Sequence, residues 1–225
     1  DEAAILARSL VDVANGAGVA TSALITDMNE PLADAAGNTL EILHCLDFLK
    51  GKKAGTRIEM LVIAFAAEML TQSGLVASTA DAERIARQAL ASGQALECFG
   101  QMVSALGGPS DFLERAEHYL KPAPYIEPIL ARETGWLSSC KTRNLGMVVV
   151  ELGGGRRHPD DLIDHSVGLS DILPLGSCVE AGQTIGFVHA ASKRDAKRAV
   201  ENVLAAYGIA QSPVATSPVI HARIA

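Results

Sequence analysis

With 225 residues, 48% of them hydrophobic and 20% charged, the chain can bury one large core or two smaller ones. Its 26 acidic residues against 19 Lys and Arg leave a net charge of −7, which excludes the broad phosphate-backbone footprint that nucleic-acid binding requires. Four cysteines without CxxC or Cys/His ligand spacing point to a reducing, cytoplasmic setting, and no run approaches the roughly 18 apolar residues of a membrane span.

In chain order, Ile5, Leu6, Leu10, Val11 and Val13 form a helical stripe that ends at Gly16 and Gly18. The segment opens with two acids inside a helical pattern, so further polypeptide is expected upstream. "VATSALITDM" reads as one buried strand at about residues 20–27, apolar on both faces at Ala23, Leu24 and Ile25, as in a parallel α/β sheet. A polar turn with Asp27, Asn29, Glu30 and Pro31 follows, then Gly37 and a helix from Asn38 to about Lys50. Asn38 is the expected N-cap and Glu41 completes an Asn variant of the capping box. Helices are predicted near 56–73, 80–92 and 94–106, each stopped near a glycine. One strand makes no sheet, so its parallel neighbours are expected from outside these residues.

"KPAPYIEP", residues 121–128, holds three prolines in eight positions and suits an extended linker. Beyond it, "GWLSSC", "VGLSDILPLGSCVEAGQTIGFVHA" and "SPVIHARI" read as short strands with glycine turns, while "TRNLGMVVVEL" and "KRDAKRAVENVLAAYG" read as helices. The expected fold class is therefore α/β plus α+β. Residues 1–120 form part of a parallel-sheet α/β domain with one strand and a helix cluster. Residues 129–225 form a C-terminal α+β domain with a barrel-sandwich-like hairpin around Gly176, Val179 and Gly182-Gln183.

Candidate chemistry is sparse. "GGGRRH", residues 153–158, invites a phosphate-cradle reading, but its glycines follow a helix and would sit at that helix's negative end. The expected role is a left-handed cap at Gly153 or Gly154, with Arg156 and Arg157 complementing the helix dipole. A biotinyl- or lipoyl-carrier role lacks the lysine at a hairpin tip. The six histidines show no i,i+4 zinc pair, and no GxSxG elbow occurs. Asp160, Asp161, Asp164 and His165 cluster in what reads as a solvated loop.

Several motifs in order resemble the thymidine and pyrimidine-nucleoside phosphorylase family, with the bacterial thymidine phosphorylase branch the nearest in pattern. These are Asp27-Met28-Asn29-Glu30-Pro31-Leu32, where Glu30 replaces the family's Gln, and Gly37-Asn38-Thr39-Leu40-Glu41-Ile42, where Thr39 replaces Ala. "VANGAG", "AEML", "LGMVVVELGGGRR", "IDHSVGLSDI" and "VHA" extend the likeness over nearly the whole chain.

The resemblance implies a pentosyltransferase of pyrimidine salvage: reversible phosphorolysis of thymidine to the base and 2-deoxyribose 1-phosphate, with phosphate as co-substrate and no other cofactor required. It also implies a homodimeric parent whose domains close on the substrates. The family's phosphate- and base-binding residues have no match here, so no catalytic, phosphate-binding or base-binding residue is carried over, and this chain alone is expected to be inactive. The resemblance further implies a monovalent or divalent cation held by the Leu32 and Ala35 carbonyls and a glutamate whose place is taken by His44, a poor ligand for a hard cation. Asn29 and Asn38 are expected to wall the phosphate side without touching substrate. Two alternatives stand beside this reading: a non-catalytic binding or assembly module, and a related nucleoside monophosphate phosphorylase.

Overall fold

The computed structural model describes residues 2–225. The chain divides into two compact units, and each is built from separate stretches of sequence. The first takes the residues up to Asp27, Phe48–Cys98 and Ser217–Ala225; the second takes Met28–Asp47 and Phe99–Thr216.

In the first unit, α1 (Glu2–Gly16) packs on a two-stranded sheet of β1 (Ala23–Thr26) and β8 (Ile220–Ile224). Val11 is its buried contact, while Ile5, Leu6, Leu10 and Val13 remain exposed on the rest of the helix. β1 and β8 run antiparallel, with Ala23 opposite Ile224 and Ile25 opposite Ala222. Here the structure differs from expectation twice. The partner of β1 among the described residues is antiparallel, and "VIHARI" belongs with β1 rather than with the C-terminal α+β domain. The reason is register: Ile224 and Val219 are the buried positions of the final segment.

α3 (Arg57–Gln72) packs against α4 (Thr79–Ala91), burying Ile63, Ala67 and Ala82. Ser78 caps α4 by accepting from the Asp81 amide at 3.1 Å. Glu59 closes the entry to α3 by accepting from the Gly55 amide at 2.6 Å. α2 (Asn38–Leu49) and α5 (Gln94–Ala105) each contribute residues to both units.

The second unit adds α6 (Phe112–Tyr119), α7 (Thr142–Leu152) and α8 (Lys193–Ala206) to two antiparallel three-stranded sheets. One has the order β2 (Tyr125–Leu130), β6 (Thr184–Ala190), β4 (Gly168–Ser170); the other has β5 (Cys178–Val179), β3 (Gly135–Cys140), β7 (Tyr207–Ala210). Ile129, Leu137, Val148, Val167, Val188 and Val203 meet in one core, which draws on strands of both sheets and on α7 and α8.

The expected linker is in part a strand, because β2 begins at Tyr125. Pro128 is tolerated there since β2 is an edge strand, paired with β6 alone, and an edge position can spare the missing N–H. The expected barrel-sandwich hairpin is also corrected. Its turn is tight, with the Gln183 amide on the Glu180 carbonyl at 2.9 Å and Gly182 at φ 85°. Yet β5 pairs with β3 while β6 pairs with β2 and β4, so the turn carries the chain from one sheet to the other and lets Val179 and Ile185 share the core.

Candidate functional site

The residues after β1 form an irregular segment tied at several points to the elements around it. At the strand's end, the buried Asp27 carboxylate faces Arg57 Nη2 at 2.8 Å, with His221 Nε2 at 3.7 Å, and its amide donates to the Val219 carbonyl at 2.9 Å. The Asp27 side chain is 2% exposed and that of Arg57 14%, so this is a buried charge pair.

From Met28 onward, the ties lie within the second unit. The Met28 carbonyl accepts from Thr142 Oγ1 at 3.1 Å, and the buried Glu30 carboxylate accepts from the Leu175 amide at 2.7 Å. The Asp34 carbonyl accepts from the Ile172 amide at 3.0 Å. Ala36 and Leu169 exchange both backbone hydrogen bonds, and the Thr39 amide donates to the His165 carbonyl at 3.0 Å. Gly37 takes φ 129° where the backbones of 36–37 and 167–168 run closest. Gly37, Gly168 and the polar turn residues are therefore what lets an irregular loop lie against a strand with its backbone groups satisfied.

The entry to α2 corrects the capping expectation. Asn38 does not cap: its Nδ2 donates to the Gly154 carbonyl at 3.2 Å. Glu41 closes the first turn on the Gly37 amide at 2.9 Å, while its own amide donates to the Gly37 carbonyl. The Asn38 amide thus ties the loop to the glycine turn after α7. Gly153 is the left-handed cap of α7 at φ 99°, as expected of "GGGRR". Arg156 and Arg157 do not complement the dipole through its carbonyls. Arg156 Nε donates to the Asp161 carbonyl at 3.3 Å, and Arg157 Nη2 stands 3.7 Å from Glu151. Asp161 is held well below the usual carboxylate range, chiefly by hydrogen bonds from the His158 and Arg157 amides, which gives it a loop-closing role.

The sequence-predicted ligands fall as follows. Leu32 and Ala35 lie in the loop and His44 on α2, where the buried ring places Nδ1 2.6 Å from Asp34 Oδ1. The carboxylate accepts, so Nδ1 carries the hydrogen. Spacing gave no hint of Asp34 as the partner, because the pair depends on how the loop folds back onto the helix.

A second polar cluster, also unsignalled, joins β4 and β6. Ser170 Oγ donates to Asp171 Oδ2 at 3.1 Å and lies 2.9 Å from His189 Nε2. A hydroxyl that donates to Asp171 pairs with a ring that donates from Nε2 to Ser170 Oγ, which completes the cluster. Burial pushes the His189 pKa below its usual value, and the Asp171 charge opposes the shift. Asp171 is the one non-glycine residue at positive φ among the described residues, at 51°. On the other sheet of the second unit, burial pushes the Cys140 thiol and the Tyr207 hydroxyl up, and the Glu30 charge adds to both shifts.

Among the described residues, no group of three or more His, Cys, Asp or Glu side chains could hold a metal, and no helix is long and apolar enough to cross a membrane.

Two family models match the chain: "Glycosyl transferase family, a/b domain" over residues 1–96 and "Pyrimidine nucleoside phosphorylase C-terminal domain" over residues 136–210. It is 58% identical over 223 residues to a thymidine phosphorylase of Sinorhizobium medicae (strain WSM419), covering 99% of this chain and 51% of that protein. It is 59% identical over 212 residues to one of Agrobacterium fabrum (strain C58 / ATCC 33970), covering 94% and 48% respectively. A third, of Rhizobium meliloti (strain 1021), is 57% identical over 223 residues, covering 99% and 51%. The chain spans about half the length of the curated relatives it matches.

Proposed function

The chain belongs to the thymidine and pyrimidine-nucleoside phosphorylase family, and on that premise we propose that it forms half of a pentosyltransferase catalysing reversible phosphorolysis of thymidine. Phosphate attacks C1′ of the deoxynucleoside, the glycosidic bond breaks, and the base leaves with the bonding electrons, giving 2-deoxyribose 1-phosphate. The observation that carries this reading is the 58% identity along 99% of the chain. The two matched stretches, residues 1–96 and 136–210, fall on either side of residues 121–128. In the same reading β1 is one strand of a larger α/β sheet, and the parent is a cytoplasmic homodimer.

The contribution of this chain is positioning. The loop after β1 leaves the strand's C-terminal end, the side on which open α/β sheets place ligands. Its ties to Thr142, Leu175, Leu169 and Ile172 hold it in one shape. A fixed wall loses little freedom when substrate binds, and that is its value to a reaction limited by alignment. Asn38 is spent on Gly154, which favours a wall over direct contact with phosphate. No catalytic, phosphate-binding or base-binding residue is assigned.

The cation implied by the resemblance would rest on the Leu32 and Ala35 carbonyls and on His44. Donor chemistry argues against it: a hard cation wants oxygen, whereas the side chain at 44 offers a ring whose Nδ1 already faces Asp34.

The test assays phosphate-dependent release of thymine from thymidine by this chain alone and by the chain joined to the complementary half of the Sinorhizobium medicae relative. Thymine release by the joined protein, abolished when phosphate is omitted, is the expected result. A joined protein that elutes as one folded species and releases none overturns the proposal. Release from a thymidine monophosphate but not from thymidine would favour the nucleoside monophosphate reading instead.

A further inference from the structure

We propose that the Asp34–His44 hydrogen bond replaces a bound cation in this chain, tying the loop after β1 to α2 so that the loop keeps its shape without metal. The starting observation is a disagreement between the cation that the family resemblance implies and the donors that are present. At the α2 side of the loop stands an imidazole, 5% exposed, whose Nδ1–H meets Asp34 Oδ1 at 2.6 Å. A carbonyl cage for potassium, sodium, calcium or magnesium needs oxygen and negative charge from that side. Here the ring faces the Oδ1 oxygen of Asp34.

The geometry gives the pair the tying role. Asp34 holds α2 through its side chain and the segment after β4 through its carbonyl, which accepts from the Ile172 amide at 3.0 Å. Two residues on, Ala36 is bridged to Leu169 by both of its backbone groups. Asp34 therefore joins α2, the loop and the segment after β4 at a single residue, reaching α2 through the charge-assisted hydrogen bond and the segment after β4 through its backbone. A bound cation would do the same through carbonyl oxygens, at the cost of depending on ion concentration.

One competing occupant has a physical argument. A ring that donates one N–H to a carboxylate and keeps its other nitrogen bare is the arrangement of a metal-bound histidine, and His44 Nε2 is buried with no partner. That suits a softer ion such as zinc. Among the described residues, however, no set of three His, Cys, Asp or Glu side chains completes the coordination. A lone nitrogen with carbonyls is a weak zinc site.

The experiment takes the chelator-treated chain, so its readouts need no turnover and stand apart from the phosphorolysis test. Thermal unfolding and amide hydrogen exchange are followed in potassium, sodium, calcium, magnesium and zinc salts at matched ionic strength, with choline chloride as the reference. The expected result is the same melting temperature, and the same exchange over residues 28–37, in every salt. Asp34→Asn should then speed exchange over 28–37 roughly tenfold, the loss of one charge-assisted hydrogen bond, while the core strands β3 and β6 keep their protection. A saturable rise in melting temperature with any one cation, lost in His44→Ala, overturns the inference. So does an Asp34→Asn chain whose loop exchanges like the wild type.

Discussion

Gly37 and Gly168 face each other across the loop and strand β4. A Cβ built on either one falls 3.0 Å from the Cα of the other and closer still to a carbonyl oxygen, that of Val167 for Gly37 and of Ala36 for Gly168. Both residues hold positive φ, 129° and 151°. Gly168→Ala and Gly37→Ala should each cost about 3 kcal/mol, combining the strain of a side chain at positive φ with overpacking against backbone that cannot move aside. In urea unfolding the double variant should cost less than the sum, because the first methyl already forces the two backbones apart. Full additivity would show that the two positions do not share one gap.

Gly153 is the contrasting case. It too has positive φ, 99°, but the nearest atom to an added Cβ is Asp164 Cβ at 3.9 Å, in ordinary contact. Only conformational strain remains. Gly153→Ala should cost about 1 kcal/mol and Gly153→Asn less, since Asn tolerates the left-handed region. A cost near that of Gly168→Ala would point to a contact at Gly153 beyond helix capping.

The same glycines show what could be read from sequence. The cap at Gly153 was legible because helix periodicity, a glycine run and the absence of a following helix are all local signals. The stop signals of α1, α3, α4 and α5 were legible for the same reason. Gly168 carried no signal, because its need for a missing side chain comes from Ala36, more than a hundred residues earlier in the chain. The β1–β8 pair, the split of β5 and β6 between two sheets, and the Asp34–His44 bond were illegible on similar grounds. The strand pairings depend on long-range partners and the Asp34–His44 bond on how an irregular loop folds back onto its helix, neither of which periodicity encodes. The capping box at Asn38 failed differently: Glu41 does close the first turn, but on the Gly37 amide one residue earlier, while the Asn38 side chain reaches across to the Gly154 carbonyl.

In the Asp27–Arg57 pair the carboxylate is buried and the guanidinium is mostly covered, so losing one partner should be strongly destabilising. Asp27→Asn keeps the shape but removes the charge that faces the guanidinium, and should cost about 3 kcal/mol in chemical denaturation. A double-mutant cycle with Arg57→Met should then recover much of that loss, because an apolar side chain leaves no buried charge behind. A variant that loses under 1 kcal/mol would mean that solvent reaches the pair in solution.

Serine capping offers a smaller, cleaner effect. Ser192 accepts from the Asp195 amide at 3.1 Å at the start of α8, which packs against β2, β6 and α7. Ser192→Ala should lower stability by about 1 kcal/mol, and Ser192→Asp should retain most of it, because aspartate caps as well and suits the helix dipole. An unchanged melting temperature for the alanine variant would show that α8 is held by packing alone.

His189 sets an acid limit on stability. Burial lowers its pKa in the folded chain, with Asp171 pulling the other way, while the unfolded chain titrates at the ordinary value of 6.5. In the window below 6.5 and above the folded value, the unfolded state binds a proton that the folded state does not. The contribution is therefore complete above that window and is lost as pH falls through it, with a slope of at most about 1.4 kcal/mol per pH unit for one proton. His189→Gln, which retains an N–H to offer Ser170 but does not titrate, should flatten that slope while behaving like wild type in pH dependence above neutrality. Asp171→Asn should extend the loss to lower pH, because it removes the one charge that favours the protonated ring. The check is melting temperature against pH for the three proteins. Parallel curves through the acid range would mean that His189 binds its proton equally well folded and unfolded, and that its burial carries no electrostatic cost.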